Sequence, residues 1–256
     1  MAPDDSAKFS NALRDWWREQ SRARGAWGAT SLLLRELWDF LRDSTPERRR
    51  SRFGDADFDW EHRVNTTSGT VGWRERLLGV FHSAYQPTEQ AAFREMMAVL
   101  PIDFRAFTFI DIGSGKGRVL LMASEFPFRK IIGVELVASL HRIAQENIAA
   151  YQAKKALVDP HRAATQPQTP VESVCMDARQ FPFPETPLVV FLFNPLPESG
   201  LRRVLRNLEK SHSEVPRPIW IVYHNPVLEH VLLESPTLLK KAGQREHSLF
   251  EFRKIA

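Results

Sequence analysis

The chain has 256 residues, 43% of them hydrophobic, with one cysteine and a net charge of +4. That length holds one α/β domain with an extension rather than two large domains, and no stretch approaches the ~20 apolar residues of a membrane span. The lone Cys175 leaves no internal disulfide and no cysteine-based metal site; the mild basic balance permits an acidic partner such as nucleic acid without demanding one; and the start Met1-Ala2-Pro3-Asp4-Asp5 lacks a signal-peptide pattern, so a cytoplasmic protein without a metal is expected.

Residues 1–80 hold six of the seven tryptophans, Trp16, Trp17, Trp27, Trp38, Trp60 and Trp73, which is too aromatic for a disordered tail. From residue 30 to about 43, Leu33, Leu34, Leu37, Trp38 and Leu41 follow helical spacing opposite Arg35, Glu36, Asp39 and Arg42, so an amphipathic helix is predicted. Residues 44–75, with Pro46, Gly54, Gly69 and Gly72, read as loop, and the basic run Arg48-Arg49-Arg50-Ser51-Arg52 reads as part of its solvated surface. Residues 1–80 are thus an N-terminal Trp-rich helical extension, and 81–256 a separate domain.

That domain opens with Tyr85-Gln86-Pro87-Thr88, where Thr88 is the predicted N-cap of a helix to about Leu100 that buries Ala92, Phe93, Met96 and Met97. Phe107-Thr108-Phe109-Ile110-Asp111 then reads as a strand ending in an acid, followed by the glycine loop Ile112-Gly113-Ser114-Gly115-Lys116-Gly117 and a helix from Arg118. Glycines at 113, 115 and 117 allow positive φ and close approach of a ligand, with helix N–H groups expected free behind them. The loop lacks the Gly-Lys-Ser/Thr spacing of a P-loop and the G-x-G-x-x-G of a dinucleotide fingerprint. An acid at the strand end repels a pyrophosphate and suits a cationic ligand.

A second strand, 129–135, ends in Glu135, 22 residues after Gly113, where a carboxylate can accept hydrogen bonds from both hydroxyls of an adenosine ribose. It is expected to serve the ligand and to matter little to the ligand-free fold. A helix over 138–155 leads to a third strand at about 172–176, which includes Cys175 as a core residue and is followed by Asp177-Ala178. A fourth strand, 188–193, is continuously apolar, as a strand covered on both faces should be. It runs into Asn194-Pro195-Leu196-Pro197. A helix near 198–211, a fifth strand over 218–223 and the turn His224-Asn225-Pro226 follow; His224 at a strand end is read first as structural and second as a base. A helix near 227–234 and two β patterns, 237–242 and 248–253, close the chain.

The glycine loop with Asp111 before it resembles motif I of the class I S-adenosylmethionine (SAM)-dependent methyltransferases. The resemblance, which runs from about residue 85 onward, implies a three-layer α/β sandwich of Rossmann-like type with a seven-stranded, mostly parallel sheet and SAM as cofactor. It implies that Asp111, Gly113, Ser114, Gly115 and Gly117 hold the cofactor's methionine end, Glu135 its ribose and Asp177-Ala178 its adenine. Tyr85 and Thr88 belong to a tetrad resembling a segment that closes over the cofactor in several protein methyltransferases. Asn194 adjoins the transferred methyl group, in a turn similar to the Asn/Asp-Pro-Pro-aromatic motif of amino methyltransferases; Leu196 and Pro197 replace the second proline and the aromatic, so stacking of a flipped base is not implied. Together these motifs resemble the Dot-type and mitochondrial lysine methyltransferases and imply transfer to an amine on a protein. RNA or a small molecule as acceptor, and a non-catalytic SAM-binding module, are the alternatives.

Overall fold

A computed structural model describes residues 56–66, 88–158, 169–243 and 246–253, with scattered positions between Arg18 and Ser31. Two compact units divide the chain, Met1–Asp57 with Gly69–Tyr85 and Phe58–Ser68 with Gln86–Ala256. Residues 32–43 of the helix predicted over 30–43, and Tyr85, lie outside the described residues. Among the described residues no helix is long and apolar enough to cross a membrane.

In chain order the elements are α1 (Ala56–His62), α2 (Gln90–Ala98), β1 (Thr108–Ile112), α3 (Arg118–Ala123), β2 (Lys130–Glu135), α4 (Ala138–Val158) and β3 (Val171–Cys175). They continue with β4 (Leu188–Leu192), α5 (Glu198–Glu214), β5 (Ile219–His224), α6 (Glu229–Leu233), β6 (Leu238–Gly243) and β7 (His247–Phe252). The strands form one sheet in the order β3-β2-β1-β4-β5-β7-β6. β3, β2, β1, β4 and β5 pair in parallel, while β7 runs antiparallel to both neighbours. This is the expected three-layer α/β sandwich of Rossmann-like type with a seven-stranded, mostly parallel sheet.

The central parallel strands β1, β4 and β5 are buried and largely apolar because helices cover both sheet faces. On one face Ile110, Ile112, Val190, Leu192, Ile221 and Tyr223 pack with Leu201, Val204, Leu205 and Leu208 of α5. On the other, Phe109, Val189, Phe191 and Val222 pack with α2, α3 and α4 through residues such as Phe93, Met97, Leu120 and Ile148. Phe93 is the hinge of that second layer, edge-on to Phe109 at 6.0 Å and to Phe191 at 5.7 Å between ring centroids.

Three expectations are corrected. Residues 44–75 contain a helix, α1, whose Phe58 is buried while Trp60, about half a turn away, is exposed. The N-cap of α2 falls on Glu89, with no side-chain cap, so Thr88 is buried before the helix without capping it. Cys175 is exposed because β3 is the sheet's edge strand and only partly covered.

Truncating Phe93 removes a fully buried ring between two strands and a helix, with little freedom to collapse into the gap. Phe93→Ala is expected to cost about 3–5 kcal/mol, read as a lowered urea midpoint with unchanged slope. A loss below about 1 kcal/mol would mean that the layer is loosely packed.

Candidate functional site

The site lies where the parallel strands end. β1 delivers Asp111 and then a loop in which Gly113, Gly115 and Gly117 take φ of +77°, +55° and +82°, a region that side chains with a Cβ rarely enter. Gly113 is required for a second reason, since a Cβ there would sit 2.6 Å from Cβ of Pro195. The turn after β4 therefore packs directly on the glycine loop.

The loop is held from inside the protein. The Gly113 and Ser114 N–H groups both donate to the Val134 carbonyl, Gly117 N–H donates to the Ser114 carbonyl, and Gly115 N–H donates to Oε2 of Glu135 at 2.8 Å. These four loop amides are therefore engaged within the protein. Ser114 Oγ turns inward, buried with no hydrogen-bond partner among the described residues. A Cβ on Gly133 would lie 2.6 Å from it, so any contact of Ser114 with a ligand falls to its backbone.

Two acids flank the loop. Asp111 is buried, and no described donor reaches its carboxylate. Burial first, and the neighbouring Glu135 charge second, raise its pKa to about 8. Glu135 is also buried; desolvation raises its pKa against the opposing backbone N–H groups of Val137, Gly115 and Leu136. Its Oε1 accepts from Val137 N–H at 2.8 Å, so each oxygen already serves the fold. The expectation that Glu135 matters little to the ligand-free protein is thus corrected, while the carboxylate keeps acceptor capacity beyond these bonds.

Register fixes the common face. Asp111 pairs with Phe191, which pairs with Val222; two residues on, that face carries Glu135, Phe193 and His224. His224 is half-buried, 4.4 Å from Phe193 and stacked on Phe191 at 6.5 Å, with Nδ1 3.2 Å from the Glu246 carbonyl. Burial lowers its pKa, which the Glu246 carbonyl and carboxylate partly offset, leaving a neutral imidazole at pH 7.

Asn194 and Asn225, each followed by proline, both adopt left-handed backbone with φ of +46° and +47°. Residues before proline disfavour that region, so the two turns store strain, on the order of 1 kcal/mol or more each. Side chains hold it. Asn194 Nδ2 donates to the Asn225 carbonyl at 2.8 Å, Tyr223 OH donates to Asn194 Oδ1 at 2.8 Å, and Leu228 N–H donates back to the Tyr223 oxygen at 3.2 Å.

Asp177 caps the short 3-10 turn Ala178–Gln180, accepting from Arg179 N–H and from the Arg179 guanidinium on both oxygens. Burial pushes its pKa up, but the Arg179 hydrogen bonds and charge win and hold it low. Ala178 is buried beside it.

Behind the loop lies a polar cluster absent from the sequence reading. Arg118 is 4% exposed; its Nε donates to the Thr88 carbonyl at 2.9 Å, its Nη1 to Thr66 Oγ1 at 3.3 Å, and its guanidinium lies 4.5 Å over the Phe58 ring. Asp59 accepts from the Thr66 N–H and hydroxyl. Asn147 donates to the carbonyls of Lys116 and Asn65, and Lys116 Nζ donates to Asn65 Oδ1 at 3.3 Å. The available signals were an arginine opening an otherwise apolar helix and a second Asn-Pro turn at Asn225-Pro226.

No family model and no curated protein matches the chain. Among solved structures it is similar to an RNA methyltransferase from Salinibacter ruber in complex with S-adenosyl-L-homocysteine (SAH), at 20% identity over 65% of this chain and 92% of that one, TM-score 0.42. It is also similar to a ribosomal protein L11 methylase from Lactobacillus delbrueckii subsp. bulgaricus, at 16% identity over 65% and 77%, TM-score 0.41. A protein of the NADB-Rossmann superfamily from Streptococcus agalactiae matches at 10% over 66% and 69%, TM-score 0.43. The reading of the site rests on its own residues.

Because Asp111 binds its proton more tightly folded than unfolded, its stabilising contribution is complete below its ordinary pKa of 3.8 and is lost as pH rises through about 8. The stability of ligand-free wild type relative to Asp111→Asn is therefore expected to fall steadily from about pH 4 to 8, measured by urea unfolding at each pH. A difference that stays flat across that window would place Asp111 in water.

Proposed function

We propose that the chain is a cytoplasmic SAM-dependent methyltransferase acting on an amine nitrogen, with a protein lysine as the favoured acceptor. The observation that carries the cofactor assignment is the pair of buried acids, Asp111 without a donor and Glu135 with acceptor positions to spare, flanking a glycine loop whose amides are engaged. A cationic nucleoside brought against these acids favours their ionised forms, which a phosphate would oppose. Residues 81–256 carry the chemistry in this reading; the Trp-rich residues 1–80 are an extension, of which Phe58–Ser68 falls in the same compact unit as the site.

When bound, SAM supplies an electrophilic methyl group on a sulfonium. Asp111 pairs with the α-amino end, the open positions of Glu135 accept from ribose hydroxyls, and Gly113, Gly115 and Gly117 admit the ligand against bare backbone. Tyr85 and Thr88 would belong to the segment that the resemblance implies closes over the methionine end. Asp177 and the Ala178 backbone border the adenine, Asp177 through whatever acceptor positions Arg179 leaves open. Asn194, its amide oriented by Tyr223 and Asn225, offers its backbone carbonyl and the second lone pair of Oδ1 to the N–H groups of the acceptor, which aims the nitrogen lone pair. A lysine must lose a proton first, at a cost of roughly 4–5 kcal/mol at pH 7. In this reading His224 would take it, since with Nδ1–H donated to the Glu246 carbonyl its Nε2 keeps a lone pair.

Calorimetry should show SAM and SAH binding to the wild type and none to Gly115→Arg, whose side chain would fill the cofactor's path. No heat from folded wild type with either ligand would remove the cofactor assignment. Tritiated SAM incubated with fractionated lysate should label protein rather than RNA or small molecules.

Asn194→Ala separates catalysis from binding. It should keep SAM affinity within about threefold while turnover on the labelled acceptor falls roughly 10²- to 10³-fold. Turnover at the wild-type rate would show that the turn after β4 does not orient the acceptor.

A further inference from the structure

We infer that Arg118 is a positioning residue that couples the glycine loop to an outer strap, residues 58–66, so that cofactor binding and order in the strap reinforce each other. The inference rests on the cofactor reading above. Arg118 is the first residue of α3, and the glycine loop ends immediately before it. A rotation of α3 at its start therefore moves Gly115 and Gly117 together.

What holds that start is not the apolar layer alone. One edge of the guanidinium fork is fixed by the Thr88 carbonyl and another by the Thr66 hydroxyl, while Phe58 lies across its face. A lysine has the charge but not the planar fork, and cannot span both acceptors while lying flat on the ring. Thr66 is in turn fixed by Asp59 through its own N–H and hydroxyl.

One residue earlier in the strap, Asn65 donates its N–H to Asn147 Oδ1 at 2.8 Å, and Asn147 Nδ2 donates both to the Asn65 carbonyl and, at 2.9 Å, to the Lys116 carbonyl of the loop. Lys116 Nζ reaches Asn65 Oδ1 at 3.3 Å. Both long polar side chains near the loop's end, Lys116 and Arg118, are thus directed into the strap and leave the bare glycines to the ligand. The two Arg118 bonds and that from Asn147 to the Lys116 carbonyl are buried, where a missing partner is costly, and the others are part-buried, so the strap and the loop are ordered together. Because coupling between sites is reciprocal, a ligand that fixes the loop must also steady the strap.

The test uses the full chain and SAH as probe. Hydrogen exchange of the wild type should slow in residues 58–66 on adding SAH. Arg118→Lys and Thr66→Val should weaken SAH binding by about tenfold, while Thr66→Ser restores it, because the hydroxyl and not the methyl makes the bridge. A purely structural role would lower the melting temperature of the variants without changing the affinity of the folded fraction or the exchange response of the wild type. Unchanged affinity in the variants, or exchange in 58–66 indifferent to SAH, would overturn the inference while leaving the cofactor reading standing. Absence of SAH binding by wild type would overturn the cofactor reading itself. Should Arg118→Lys fail to fold, the wild-type exchange response and the Thr66 pair decide the matter.

Discussion

Everything at this rim depends on two carboxylates that folding has taken out of water side by side. A buried acid without a donor resists ionisation, and a second acid beside it adds to that resistance. The parallel sheet enforces the arrangement, since Asp111 near the end of β1 and Glu135 at the end of β2 share a face, two register steps apart. Glu135 offsets part of its cost by accepting two backbone N–H groups, whereas Asp111 has no such relief among the described residues. A ligand bringing positive charge relieves the site. That asymmetry makes Glu135 part of the architecture as well as of the rim, and leaves Asp111 to the rim alone.

The glycine loop follows from this. Its amides close onto Val134, Ser114 and Glu135, so its shape is set by β2 and not by a bound anion. Gly113 must be glycine to let Pro195 approach, and Gly133 to let Ser114 fold inward. From the outside the same loop is gripped through Lys116 and Arg118. It is therefore a piece of interior that reaches the surface on one side only, held from behind by β2 and from outside by residues 65, 66 and 88.

Much of the fold was legible because its signals are local. The continuous apolar runs of β1, β4 and β5, and the glycines between Asp111 and Arg118, state their own conformation through sterics and burial. What escaped depends on contacts between distant segments. Nothing near residue 59 shows that Asp59 will meet Thr66 beside an arginine from 118, or that a helix forms among the glycines and prolines of 44–75. Cys175 looked like core because strand patterning does not say which strand is the edge. Glu135 was legible as an acid in the right place, but its grip on Gly115 was not, since the same carboxylate serves fold and ligand.

The acceptor side shows why position alone does not give chemistry. The sequence points to Asn194, yet its amide is held between the Tyr223 hydroxyl and the Asn225 carbonyl, so the polar edge at the ends of β4 and β5 is shared by three residues. Both asparagines are strained, and the strain persists because a buried tyrosine, packed with the α5 layer, ties one turn to the other. A group fixed this way cannot adapt to its substrate, so the substrate must come to it already aligned. Within this edge Asn225, whose backbone carbonyl accepts from Asn194, fixes the geometry as directly as the residue that the sequence made conspicuous.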